Sequence, residues 1–134
     1  MQQHIKSLLE HKNSKYFRVG FYAYTVLLFI ATLLPLDTIR SSGDSWLSFL
    51  AFKNSDKIVH FILFFTLTGL LFIAYQSLKK ISYFAIPVLT GILIEILQHA
   101  MGGGRTFDVW DIVANSLGTL TACLIFPKLL DSKN

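Results

Sequence analysis

The residues that could do chemistry are concentrated in one stretch, Glu95 to Gly118, which joins two apolar segments. Their side chains can bind ions, transfer protons or form strong hydrogen bonds: Glu95, Gln98, His99, Arg105, Asp108, Asp111 and Asn115. In a chain this apolar, such groups lie at or near membrane depth, where an ionisable side chain is costly and usually marks a functional site. We therefore expect the function to reside here.

Two kinds of chemistry fit these residues. Gly102–Gly104, Arg105 and the following helix N-terminus would bind a phosphate or another anion through backbone N–H groups and a guanidinium. Carboxylates with an imidazole would instead form a proton-transfer site or hold a divalent metal. The residues available for that second chemistry are His60, Glu95, Asp108 and Asp111. The spacing of these residues does not distinguish anion binding from metal binding or proton transfer. We therefore assign no cofactor and leave a divalent metal as an open alternative.

Helical spacing places the polar residues on common faces. Asp56 and His60 are four residues apart, and Glu95 shares a face with Gln98. In the last segment, steps of three and four form one seam of Asp108, Asp111, Asn115, Gly118 and Ala122. We expect the faces to converge in an outward-opening polar pocket. The structural alternatives are a Glu95–Arg105 ion pair, and Gln98 and Asn115 as inter-helix hydrogen bonds.

The composition predicts an integral membrane protein. Apolar residues make up 53% of the 134 positions and charged residues only 15%, against about a quarter in soluble domains. The net charge of +4 is concentrated near the ends and at Lys79-Lys80, which is typical of a topology signal and not of nucleic-acid binding. The single cysteine, Cys123, excludes an internal disulfide and a thiolate zinc cluster.

The predicted fold is all-α, one domain over residues 1–134 with four transmembrane helices. A polar segment at 1–18 precedes spans at about 19–36, 57–78, 81–100 and 107–126. Thr106 is the expected N-cap of the last span and Pro127 its expected end. The 37–56 loop contains an apolar piece, Ser45–Phe52, that is too short to cross a bilayer and predicts an interfacial or re-entrant helix.

Lysines and arginines predict the orientation. The N-terminal segment, the Lys79-Lys80 loop and the C-terminal tail carry more of them than the other two loops, so both termini are expected in the cytoplasm. The polar pocket would then face outward.

The order of the polar residues resembles the VanZ-like family, small bacterial membrane proteins associated with low-level teicoplanin resistance. The motifs that carry the resemblance are Asp56-Lys57-x-x-His60, Glu95-x-x-Gln98 and Gly104-Arg105-Thr106-x-Asp108-x-x-Asp111-x-x-x-Asn115-x-x-Gly118. The resemblance covers about residues 56–120 and implies a helical protein of the bacterial inner membrane with its polar motifs on one side. It implies no established reaction, and His99 lies outside its pattern.

The first functional hypothesis is that the pocket binds an anionic amphiphile such as a lipid-linked envelope precursor or a glycopeptide, and modification of that amphiphile is left open. Its binding residues would be Asp56, His60, Glu95, Gln98, Arg105, Asp108, Asp111 and Asn115. A second hypothesis is a hydrolase or transferase with a carboxylate–histidine or metal site, whose candidate catalytic residues are Glu95, His60 and Asp111. A third is transport, which would require a homodimer, and a fourth treats the polar seam as helix-assembly contacts alone.

Overall fold

The computed structural model describes residues 14–33, 55–102 and 106–131. They form four α-helices: α1 (Ser14–Leu33), α2 (Ser55–Ala74), α3 (Lys80–Met101) and α4 (Val109–Asp131). All four are long and apolar enough to cross a membrane, and the described residues contain no strand. The prediction of an all-α membrane bundle with four spans is therefore confirmed. The 37–54 part of the loop, with its expected interfacial helix, and residues 1–13 lie outside the described residues.

The helix bounds differ from the expected ones mainly around proline and threonine. Helix α4 continues through Pro127 to Asp131, so the expectation that Pro127 ends the span is wrong. Pro87 likewise lies inside α3. Proline removes one backbone donor, but membrane helices tolerate this where neighbouring helices and local adjustments compensate. Each proline therefore interrupts one hydrogen bond without ending its helix.

Helix α2 lies at the centre of the bundle and packs most extensively against α4. Phe64, Leu67 and Leu71 of α2 are fully or almost fully buried, together with Leu28 of α1 and Ile94 of α3. Helix α1 is the least enclosed: 11% of its most apolar stretch is buried inside the bundle, compared with 44% for α2. The outward apolar side chains of α1 thus form a lipid-facing surface, whereas α2 supplies the core.

A glycine sets the distance between α2 and α4. A Cβ atom added to Gly118 would overlap the backbone carbonyl of Phe61, so the two helices are in backbone contact there. At the next residue of α4, the hydroxyl of Thr119 lies 3.3 Å from that of Thr68 in α2, and the two buried hydroxyls form a hydrogen bond. Small and hydroxylated residues of this kind allow close helix packing in membranes.

The two ends of the bundle differ in chemistry. At one end, an aromatic and basic group closes the bundle: the hydroxyls of Tyr22 and Tyr75 are 2.6 Å apart, and the Arg18 guanidinium lies 5.0 Å from the Tyr75 ring centre. The turn between α2 and α3 lies at this end. The opposite end contains the start of α2, the end of α3 and the start of α4, and most of the carboxylates of the described residues lie there.

Candidate functional site

Lys57 lies at the centre of the acidic end. Its Nζ atom donates to Asp56 Oδ2 at 2.7 Å, to Asp108 Oδ2 at 2.6 Å and to Asp111 Oδ1 at 2.6 Å. An ammonium group has three donors and no acceptor, so all three are used. Because Lys57 lies in the first turn of α2, Asp108 directly precedes α4 and Asp111 lies in its first turn, these bonds join the starts of the two helices. We call these four residues, Asp56, Lys57, Asp108 and Asp111, the lysine cluster.

Asp108 has a second task at the start of α4. Its Oδ1 atom accepts a hydrogen bond from the backbone N–H of Trp110 at 2.8 Å, which is the pattern of a helix N-cap. The helix begins at Val109, so Asp108 takes the role expected of Thr106. The hydrogen bond from Lys57 holds the pKa of the Asp108 carboxyl below its ordinary value. Asp108 therefore stays ionised and fixes the first turn of α4 against α2.

A buried pair lies one turn deeper. His60 Nδ1 and Asn115 Oδ1 are 3.0 Å apart, and both side chains are buried between α2 and α4. The other ring nitrogen, His60 Nε2, lies 3.7 Å from Asp111 Oδ2. Asp111 thus has one carboxylate oxygen on Lys57 and the other facing His60, which links the lysine cluster to the deeper groups.

Glu95 is the most enclosed ionisable residue among those described, with 1% of its surface exposed. Its Oε2 atom accepts from the backbone N–H of Asp108 at 3.3 Å, whereas its buried Oε1 atom has no hydrogen-bond partner among the described residues. The amide Nδ2 of Asn115 is also buried and also has no hydrogen-bond partner among the described residues. Glu95 and Asn115 therefore each hold one unsatisfied polar atom, which is costly in a protein interior. Glu95 and Asn115 both lie six residues, or roughly 9 Å, inside their helix ends.

Two groups of side chains bring their donor atoms close together. In the outer group, one atom each from Asp56, Asp108 and Asp111 lies within 4.8 Å of the others, and the Lys57 ammonium already bonds to all three residues. In the inner group, the same limit holds for His60, Glu95 and Asp111. The described groups contain four carboxylates and one ammonium, so the three aspartates alone exceed the Lys57 charge, and an ionised Glu95 adds to the excess.

The structure brings most of the candidate residues together but not all of them. Those at the acidic end are Asp56, His60, Glu95, Asp108, Asp111 and Asn115. Gln98 turns away from them, because its Nε2 atom donates to the backbone oxygen of Thr32 in α1 at 2.7 Å. His99 is exposed near the end of α3. Arg105 lies outside the described residues.

Lys57 is the site residue that sequence reasoning missed. It belongs to the Asp56-Lys57-x-x-His60 motif but is not among the predicted binding residues. The signal that could have identified it is the pairing of a cation at the start of one span with Asp108 and Asp111 at the start of another on the same membrane side. Opposite charges entering an apolar bundle from the same side pair with each other.

The fold and the acidic end define a multi-pass membrane protein with a cluster of ionisable residues at the helix interface. The VanZ/LLP1 family model matches residues 5–130, nearly the whole chain, so the chain belongs to the VanZ/LLP1 family. This confirms the resemblance seen in the polar motifs. Comparisons with curated proteins and with solved structures give no match.

Proposed function

We propose that the acidic end binds the headgroup of an anionic amphiphile, such as a lipid-linked envelope precursor or a glycopeptide. The observation that carries the proposal is that the exposed fraction of the polar side chains decreases steadily from the end of the bundle inward. The side chain of Asp56 is 57% exposed, that of Lys57 24% and that of Asp111 13%, while Glu95 below them is almost fully buried. A headgroup at the membrane surface would meet the outer carboxylates first and the buried atoms last.

Charge divides this binding site into two parts. The described carboxylates would repel an anionic group that contacted them directly, because Lys57 is already saturated by three aspartates. The anion is therefore assigned to Arg105 and the glycines before it, which offer a guanidinium and backbone N–H groups. The carboxylates and the imidazole of His60 would accept hydrogen bonds from the hydroxyls and amides of a sugar headgroup, and the amide N–H groups of Asn115 would donate to its oxygens.

Orientation is part of the same proposal. The excess of lysine and arginine on the side of both termini assigns that side to the cytoplasm, and the acidic end to the outer face of a bacterial inner membrane. An envelope precursor displayed on the outer leaflet would then reach the site from the bilayer.

Thermal unfolding of the purified protein in detergent tests this function. Polyprenyl phosphate should raise the melting temperature of the wild type, since a ligand at a hundred times its dissociation constant stabilises by about 2.7 kcal/mol. Arg105→Ala should lose this shift and keep its basal melting temperature. Lys79→Ala, which removes an exposed cation at the opposite end, is the matched control and should keep the shift. An equal shift in wild type and Arg105→Ala would contradict the proposal.

A second candidate is a membrane hydrolase or transferase. The observation that favours it is the position of His60 Nε2 beside Glu95 and 3.7 Å from Asp111 Oδ2, since an imidazole nitrogen with a free lone pair can act as a general base. Release of inorganic phosphate from polyprenyl diphosphate by the wild type, lost in Asp111→Asn, would support this candidate. Absence of release at saturating lipid would leave the binding function.

A further inference from the structure

The hydrogen bond between His60 and Asn115 fixes the proton on the imidazole. Oδ1 of the Asn115 amide can only accept, so His60 Nδ1 must be the donor. In the neutral ring, Nε2 then carries a lone pair. That lone pair lies 3.7 Å from a carboxylate oxygen of Asp111, which is too long for a hydrogen bond and unfavourable between two acceptors. The arrangement lacks a positive centre between the two atoms.

Glu95 supplies a third acceptor, and its buried oxygen is evidence that does not depend on the distance between His60 and Asp111. Its carboxylate is 1% exposed, one of its oxygens has no partner among the described residues, and one donor atom lies within 4.8 Å of both His60 and Asp111. A buried carboxylate oxygen without a partner costs free energy unless it binds a proton or a cation. Three acceptors from α2, α3 and α4 therefore meet at one point.

The distances suit a metal ion. Zinc binds histidine nitrogen and carboxylate oxygen at about 2.0–2.2 Å, so donors in a tetrahedral site lie ~3.4 Å apart. The 3.7 Å separation of His60 Nε2 and Asp111 Oδ2 is close to this value. Histidine ligands usually donate their second ring N–H to an acceptor, which fixes the ring, and His60 does so to Asn115.

We propose that His60, Glu95 and Asp111 form a binding site for one divalent transition-metal ion, Zn²⁺ or Mn²⁺. Mixed imidazole and carboxylate ligands fit both ions, whereas Mg²⁺ and Ca²⁺ prefer oxygen alone. The ion offsets the excess of carboxylates over the Lys57 ammonium among the described residues at this end of the bundle. The outer group of aspartates is not a second metal site, because Lys57 already supplies its cation.

This site goes beyond headgroup binding and does not depend on it. Three protein ligands leave at least one coordination position open. A phosphate or hydroxyl oxygen of a headgroup is a suitable fourth ligand, so a bound amphiphile would tighten metal binding. Metal binding without any lipid is nevertheless expected, and it is the quantity to measure.

The test is titration of Zn²⁺ and Mn²⁺ into metal-stripped, lipid-free protein in detergent, followed by calorimetry and by thermal unfolding. The expected result is one ion per chain and a rise in melting temperature. Glu95→Gln and His60→Gln should each weaken binding by at least about a hundredfold, since even outer partners of metal ligands contribute 10–100-fold. Asp131→Asn is the matched control, because it removes a carboxylate from the other end of α4, and it should bind metal as the wild type does.

Cobalt provides a readout that is independent of stability. Co²⁺ bound by the wild type should show the intense visible absorption of a four-coordinate site, and His60→Gln should lose it. Glu95→Gln removes a buried charge while keeping its size, so this variant should remain folded by circular dichroism. Absence of stoichiometric binding in the wild type, or unchanged affinity in Glu95→Gln, would overturn the proposal. Lipid binding that persists without metal would then leave the headgroup function standing alone.

Discussion

The Nζ atom of Lys57 lies 2.6 Å from Oδ1 of Asp111, and this ion pair joins residues 54 positions apart in the chain. It fixes the start of α2 against the start of α4 at the polar end of a membrane bundle. Asp111 is shared, because its other oxygen faces His60. The lysine cluster and the buried acceptors are therefore one connected system, and changes in one should be measurable in the other.

Replacing Lys57 by methionine should destabilise the protein. The substitution leaves three aspartates without their cation, and the site is partly buried, so we expect a cost of about 1–3 kcal/mol, between the values of exposed and buried pairs. Thermal or denaturant unfolding in detergent measures it. Lys79→Met, at the opposite end, should have little effect. Adding Asp111→Asn to Lys57→Met should cost less than the sum of the two single changes, and full additivity would argue against a direct pair.

Acid should weaken the Asp108–Lys57 pair. The pKa of Asp108 is lowered in the folded protein by its hydrogen bond from Lys57, so the contribution is complete above the unfolded value of about 3.9. It is lost as the pH falls through the lower, folded pKa. The melting temperature of the wild type should thus exceed that of Asp108→Asn at pH 5–7, and the difference should shrink below about pH 4.

Asparagine is the informative replacement at position 108. Its side-chain oxygen can still accept the N–H of Trp110, so the N-cap is kept while the ion pair is lost. Asp108→Ala loses both and should be less stable than Asp108→Asn by about 1 kcal/mol at neutral pH. Equal stability of the two variants would show that the cap contributes nothing.

Gly118→Ala should separate α2 from α4. The added methyl overlaps the Phe61 carbonyl, which is backbone and cannot move aside alone, so we expect a cost of about 1–3 kcal/mol. Gly20→Ala in α1 is the matched control, because nothing lies within 4 Å of the Cβ position there. It should be neutral or slightly stabilising, since alanine is the better helix former. Comparable losses in both variants would contradict the close-contact interpretation.

Gln98→Leu should distinguish helix attachment from ligand binding. The amide donates to the Thr32 backbone oxygen, and hydrogen bonds between membrane helices contribute about 0.6 kcal/mol on average. A small loss of stability with unchanged binding of metal and polyprenyl phosphate would assign Gln98 to holding α1. A large loss of lipid binding would show instead that Gln98 contributes to the binding site.

The membrane fold and the position of Glu95 were predictable, because both follow from local properties of the sequence. Four apolar segments specify the helices. Glu95 is an ionisable residue within the third apolar segment, so its side chain is expected to be buried between helices, as it is. The orphaned Glu95 oxygen and the pairing of His60 with Asn115 were not predictable. They depend on how α2, α3 and α4 rotate against one another, and His60 and Asn115 are 55 residues apart in the chain.

Two local rules failed for physical reasons. Pro127 was expected to end a span because proline ends many helices in water, but the apolar surroundings of α4 keep the remaining backbone bonds intact. Thr106 was expected to cap α4, but Asp108 is nearer to the first turn and gains an additional ion pair with Lys57. A cap that also bonds to another helix is favoured over one that only satisfies its own.

The backbone contact at Gly118 would be the pivot for any tilt of α4 against α2. Asp111 lies seven residues, or about 10 Å, from this point along the helix. A rigid helix that tilts about a fixed point moves its far end in proportion to that distance. Transmembrane helices tilt when the bilayer becomes thinner or thicker. A change in bilayer thickness would therefore be transmitted by α4 as a displacement of Asp108 and Asp111 relative to Lys57, which makes the strength of this ion-paired end sensitive to the lipid around it.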